Sequence, residues 1–159
     1  KIANWGQMGE QDGSRGSYDQ IARHVEGCAI QKISVSPDSV RQYRQGYQRG
    51  LSSYCQPEIV LDLALNGSGN LSVCPVREQA MLRPYAQAGK RYYDAQKAIE
   101  DVDRKQRNLE TELEKNETPD LRRREIRQEL RRLDRQLGER RMDFNLSDQN
   151  LQQLRQQLR

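Results

Sequence analysis

The chain has 159 residues, 34% of them hydrophobic and 31% charged, with a net charge of +4. Including the 11 Gly lifts the apolar share to about 41%, below the roughly 45–50% of an ordinary globular domain. This composition argues against a single thick core and favours elongated helical structure, because a two-helix seam needs only about two apolar positions in seven. No run approaches the roughly 18 apolar residues of a membrane span; the longest, Ile59 to Leu65, is broken by Asp62. No signal peptide opens the chain, so it is expected to be cytosolic or already processed.

The first segment reads Trp5-Gly6-Gln7-Met8-Gly9-Glu10-Gln11-Asp12-Gly13-Ser14-Arg15-Gly16. Gly9, Gly13 and Gly16 recur at steps of four and three. They form either one face of a helix, open to close approach by another backbone, or a turn-rich terminus. Residues 17–28 follow with Ile21, Val25 and Cys28 at helical spacing. Ser36 before Pro37 is a helix start, a capping hydroxyl followed by Pro at the first helical position. The helix continues through Val40, Tyr43, Tyr47, Leu51 and Tyr54, with Gly46 and Gly50 on a neighbouring stripe, and stops near Cys55 before Pro57. Asn66 to Asn70 is a loop.

A domain boundary is expected near Cys74-Pro75, since all three Cys, the only Trp and nine of the Gly precede it. Beyond it, Tyr85, Ala88, Tyr92, Ala95, Ile99, Val102, Gln106, Leu109 and Leu113 alternate steps of three and four. A break at Asn116 to Pro119 follows, with Thr118 predicted as a helix cap and Pro119 as the first helical residue. The second series is Ile126, Leu130, Leu133, Leu137, Arg140, Phe144, Ser147, Leu151, Leu154 and Leu158. Two such helices joined by a short link pack antiparallel, which brings Phe144 to Tyr92 and Ala95. The expected fold is all-α: a small glycine-rich helical base over residues 1–75 and a long antiparallel helical hairpin, a coiled coil, over 76–159.

Charge is unevenly placed. Residues 1–75 and 76–118 are each neutral, so the whole +4 lies in 119–159, where all eleven basic residues are Arg. Arg124, Arg131, Arg132 and Arg135 fall off the seam and are the candidate partner-binding residues. Their planar guanidinium forks suit bidentate recognition.

The Cys count is odd, with no CxxC and a single His, so no metal site, cofactor site or catalytic residue is assigned. His24 and Cys28 lie four apart on one helix, which is commonplace and lacks an orienting third group. Cys55 and Cys74 flank a returning loop and are the favoured disulfide, leaving Cys28 free or buried. A nucleophile elbow, a P-loop and a convincing carboxylate pair are all missing. Asp12 reads as a turn or capping residue, and the tyrosine stripe as core.

Trp5, Gly9, Asp12-Gly13, Gly16, Cys28, Tyr43-Arg44-Gln45-Gly46, Gly50-Leu51, Tyr54-Cys55, Pro57, Gly67, Gly69, Cys74-Pro75, Tyr85 and Gly89 resemble a family of small bacterial envelope lipoproteins classed as a domain of unknown function. The resemblance covers about residues 5–95. It implies export to the oxidising periplasm and a lipidated cysteine just upstream of Lys1, anchoring the chain to the outer membrane. Leu71 departs from the pattern, which has an aromatic between the glycine loop and Cys74. No activity is implied. The expected function is that of a non-catalytic adaptor or scaffold binding an envelope protein through the hairpin, with homo-oligomers possible. The alternatives are a polyanion-binding envelope protein or an inhibitor of an envelope enzyme. Interleaved Glu125, Glu129 and Asp134 and a periplasmic address argue against nucleic acid.

Overall fold

The computed structural model describes residues 3–159. Among them are six α-helices, one short 3-10 turn and no strand. The helices are α1 (Trp5–Ser14), α2 (Ile21–Ile30), α3 (Pro37–Tyr54), α4 (Pro57–Leu65), α5 (Val76–Glu114) and α6 (Asp120–Gln157). The chain divides into two compact units, Lys1–Gln87 and Ala88–Arg159, so the division falls within α5. Leu82, Tyr85 and Ala86 belong to the core of the first unit.

In the first unit α1 and α3 run parallel at backbone contact. The side chain of Asn4 caps α1 by accepting from the Gln7 amide. Ser36 caps α3 by accepting from the Ser39 amide, with Pro37 opening the helix. Gly9 and Gly13 of α1 meet Gly46 and Gly50 of α3. A Cβ on Gly9 would overlap the Tyr43 carbonyl, on Gly13 the Tyr47 carbonyl, on Gly46 the Gly6 carbonyl and on Gly50 the Glu10 carbonyl. Of the two readings of this segment, the helix with a glycine face is therefore the one formed. Such closeness permits Cα–H···O contacts between the helices. Gly16 does not belong to that face. It takes a left-handed conformation, φ +69°, and ends α1, its amide bonding Gly13 O and the Ser17 amide bonding Asp12 O. That pair of bonds is a Schellman cap. Residues 17–20 consequently lie outside α2.

Tyr43, Tyr47, Leu51 and Tyr54 are buried, Tyr43 completely, and pack with Trp5, Ile21, Val60 and Leu82. The tyrosine stripe is core, with its hydroxyls satisfied: that of Tyr47 donates to Ser17 O at 2.8 Å, and that of Tyr54 accepts from the Asn70 amide at 2.5 Å. Helix α4 shows no helical period in the sequence, because Ile59 to Leu65 is short and apolar at every position but Asp62. Pro57 at its first turn is the signal that could have shown it. Leu71, where the family pattern has an aromatic, opens the 3-10 turn and packs half-buried against the core.

In the second unit α5 and α6 run antiparallel as a helical hairpin. Val102 packs with Leu133 and Leu137, flanked by Ile99 and Leu109. The Tyr92 and Phe144 ring centroids are 4.9 Å apart, as the reflected register predicts. Gln106, an apparent flaw in the seam, donates from Nε2 to Asp134 Oδ1 at 2.7 Å across the hairpin.

The turn departs from expectation. Pro119, not Thr118, occupies the capping position of α6. The Thr118 hydroxyl is otherwise engaged, donating to Glu112 O at 2.6 Å. The carbonyls left unpaired at the end of α5 are met by Arg123, whose guanidinium donates to Leu113, Lys115 and Thr118 oxygens at 2.8–3.0 Å. Beside it Arg122 grips Glu112 with two bonds, 2.8 and 3.0 Å, and holds that carboxyl below the usual glutamate range. A depressed folded-state value stabilises the hairpin above the ordinary glutamate pKa of about 4.3, and the contribution is lost as pH falls through the folded value. Glu112→Gln is therefore expected to melt below the wild type above about pH 5 and to converge with it below about pH 3, as read by thermal denaturation across pH.

Candidate functional site

The seam residues of α6 recur at steps of three and four, which turns the intervening positions outward. Arg124, Arg131, Arg132 and Arg135 are all exposed. Three of them, Arg124, Arg131 and Arg135, share a line opposite the seam with Gln128. Asp120 precedes that line, and exposed Glu139, four residues past Arg135, stands within it. Farther along the same line stand Met142 and Leu146, 68% and 60% exposed.

Each helix of the hairpin carries both paired and unpaired cations; on α5, Arg83, Arg91, Lys105 and Arg107 have no carboxylate within ion-pair distance among the described residues. On α5, Lys90 pairs with Asp94 at 2.6 Å, Lys97 with Glu100 at 2.9 Å, and Arg104 with Asp101. Each pair lies three or four residues apart, the spacing at which helical side chains meet. Glu100 accordingly raises the Lys97 pKa. On α6, Arg122 and Arg123 are committed to the turn, and Arg140 lies 3.7 Å from Asp143. Among the described residues Arg124, Arg131, Arg132 and Arg135 have no carboxylate within ion-pair distance. Asp134, three residues beyond Arg131, instead accepts from Gln106 across the hairpin.

A second polar cluster lies in the first unit. Asp12 Oδ2 accepts from the Tyr43 hydroxyl at 2.7 Å and is 2.9 Å from His24 Nε2. The Tyr43 oxygen in turn accepts from the Gln20 amide at 3.0 Å. Burial and the Asp12 hydrogen bond push the Tyr43 phenol well above its ordinary pKa. Asp12 is thus neither a turn nor a capping residue. It joins α1, α2 and α3 through side chains 12 and 31 residues away, a link that local sequence cannot display. The shared cleft, about 570 Å³, is lined by Asp12, His24 and Cys28 among others. Among the described residues no hydrogen bond connects His24 to Cys28, because the Nε2 atom of His24 faces Asp12. The arrangement ties three helices together.

Cys55 and Cys74 are joined as a disulfide, with Cα atoms 5.8 Å apart. Cys28 is unpaired and half-buried. The anchor implied upstream of Lys1 lies outside the described residues. Among those residues no helix is long and apolar enough to cross a membrane, and no group of three His, Cys, Asp or Glu side chains could hold a metal ion.

Comparison with known proteins finds no match among curated proteins or solved structures. Residues 4–91 match a family described as "Protein of unknown function (DUF2799)". That span holds the glycine-packed helices, the Asp12 cluster and the disulfide, and the chain belongs to this family.

Proposed function

We propose that the protein is a non-catalytic adaptor of the bacterial envelope, lipid-anchored in the periplasm at the outer membrane. Its hairpin acts as a coiled-coil arm, and the outward arginines of α6 contact a protein partner. The observation that carries this is the clustering on one helix of Arg124, Arg131, Arg132 and Arg135, all exposed and without a carboxylate at ion-pair distance among the described residues. Unpaired Arg on a rigid element is the residue type that anchors interfaces. The charge run is short and flanked by Glu125, Glu129 and Asp134, which suits a defined protein surface better than an extended polyanion.

The test is cross-linking in intact envelopes followed by recovery of the protein. Arg131→Glu, Arg132→Glu and Arg135→Glu together are expected to reduce the recovered partner at least tenfold, since losing one interface Arg anchor costs about 2 kcal/mol. Retention of every partner overturns the proposal. Binding that falls steeply with salt and transfers to any polyanion supports the polyanion reading instead.

A further inference from the structure

Helix α2 is held to the first unit more lightly than its neighbours are. Within it Ile21 alone is buried, and Val25 and Cys28 pack half-buried against the core. Ala22, Arg23, Glu26, Gly27, Ala29 and Ile30 face solvent. Gln20 at its start provides no side-chain cap. Its end is a Schellman cap, with the Lys32 amide bonding Ala29 O and the Ile33 amide bonding Cys28 O, both at 2.9 Å. The left-handed position of that cap, φ +58°, is filled by Lys32, where glycine would avoid the Cβ penalty. Gly27 weakens the helix from within. A Cβ there would meet nothing within 4 Å, so no close approach accounts for that glycine.

The flanks of α2, in contrast, are fixed. Before it, the Tyr47 hydroxyl donates to Ser17 O at 2.8 Å, the Gln20 amide donates to the Tyr43 hydroxyl at 3.0 Å, and Asp19 accepts from the Ile21 amide at 2.9 Å. After it, Val35 packs against the core and Ser36 caps α3. Among the described residues, the only side-chain hydrogen bond from α2 to another helix is that of His24 Nε2 with Asp12 Oδ2, at 2.9 Å. The same ring lies against Tyr43, with centroids 5.6 Å apart.

We infer that α2 is a strap: residues 22–34 open from the first unit while α1 and α3 stay packed, and His24 is the latch. A segment with few buried apolar contacts opens at a lower free energy than the whole unit. The α1–α3 contact is made by Gly9, Gly13, Gly46 and Gly50, and no residue of α2 enters it. Opening breaks the bond between His24 and Asp12, bares the Cys28 thiol and uncovers Trp5, Met8 and Asp12, which line the cleft beside α2. The device lies wholly in the first unit and is independent of the arginines of α6.

The test is amide hydrogen exchange of the full chain, read residue by residue in increasing urea below the unfolding transition. Amides of residues 25–30 are expected to exchange at least about a hundredfold faster than those of residues 43–51, once intrinsic rates are divided out. Their exchange should scarcely respond to urea, because local opening exposes little surface. Gly27→Ala is expected to slow exchange in α2 about fivefold. His24→Ala is expected to speed it about tenfold, and His24→Gln, whose amide can still donate to Asp12, by less. In every variant the α3 amides should remain the slowest, which shows that the unit is folded. Equal protection of α2 and α3, or a urea dependence as steep in α2 as in α3, would mean that α2 unfolds only with the whole unit and would overturn the inference. Exchange in α2 that ignores both Gly27→Ala and His24→Ala would overturn it as well.

Discussion

Gly46→Ala is expected to destabilise the first unit by about 2–3 kcal/mol or more, the cost of overpacking a site that cannot relax. The new methyl group would overlap the Gly6 carbonyl, a backbone atom held within α1. Helix propensity alone predicts the reverse, a gain of about 1 kcal/mol for Ala over Gly. Gly27→Ala supplies the control. Gly27 lies inside α2 in the same unit, and a Cβ there would meet nothing within 4 Å, so propensity should win and stability should rise by roughly 1 kcal/mol. Opposite signs for one chemical change, read by urea denaturation, would isolate backbone contact between α1 and α3 as the cause. A stabilising Gly46→Ala would mean that the two helices do not touch as described.

Removing the disulfide is expected to cost about 3 kcal/mol, the chain-entropy value for a loop of this size. The bridge spans 19 residues of sequence and ties the end of α3 to the start of α5 around α4. Both cysteines are buried, so Cys55→Ala with Cys74→Ala loses the link with little change in volume. Reducing agent should shift the urea midpoint of the wild type and leave that of the double variant in place, with Cys28→Ser responding as the wild type does. A midpoint insensitive to reductant in the wild type would show that the link carries no stability.

Much of this architecture is legible in the sequence because its determinants are local. The Ser36-Pro37 start of α3, the tyrosine stripe and the meeting of Phe144 with Tyr92 all follow from helical period and short links. Partner identity across distance is less legible. The glycines of α1 and α3 announce a close approach, yet only the fold shows that each stripe packs on the other. Asp12 reads as a local capping group until α2 and α3 bring His24 and Tyr43 to it. Arg122 and Arg123 look like part of the arginine run, but the turn geometry draws both into closing the hairpin. Gln106 reaches Asp134 from the opposite helix, a contact that no spacing within α6 encodes.

The central claim, that α6 rather than α5 is the contact face of the hairpin, is tested most directly by paired photo-cross-linking in living cells. A photoreactive residue replaces Gln128, on the arginine line of α6, or Asn108, exposed on α5. A defined adduct is predicted from position 128, absent from position 108, and lost when Arg131 and Arg135 are changed to Glu. Equal adducts from both helices, or an adduct at 128 that survives the charge reversal, would contradict it.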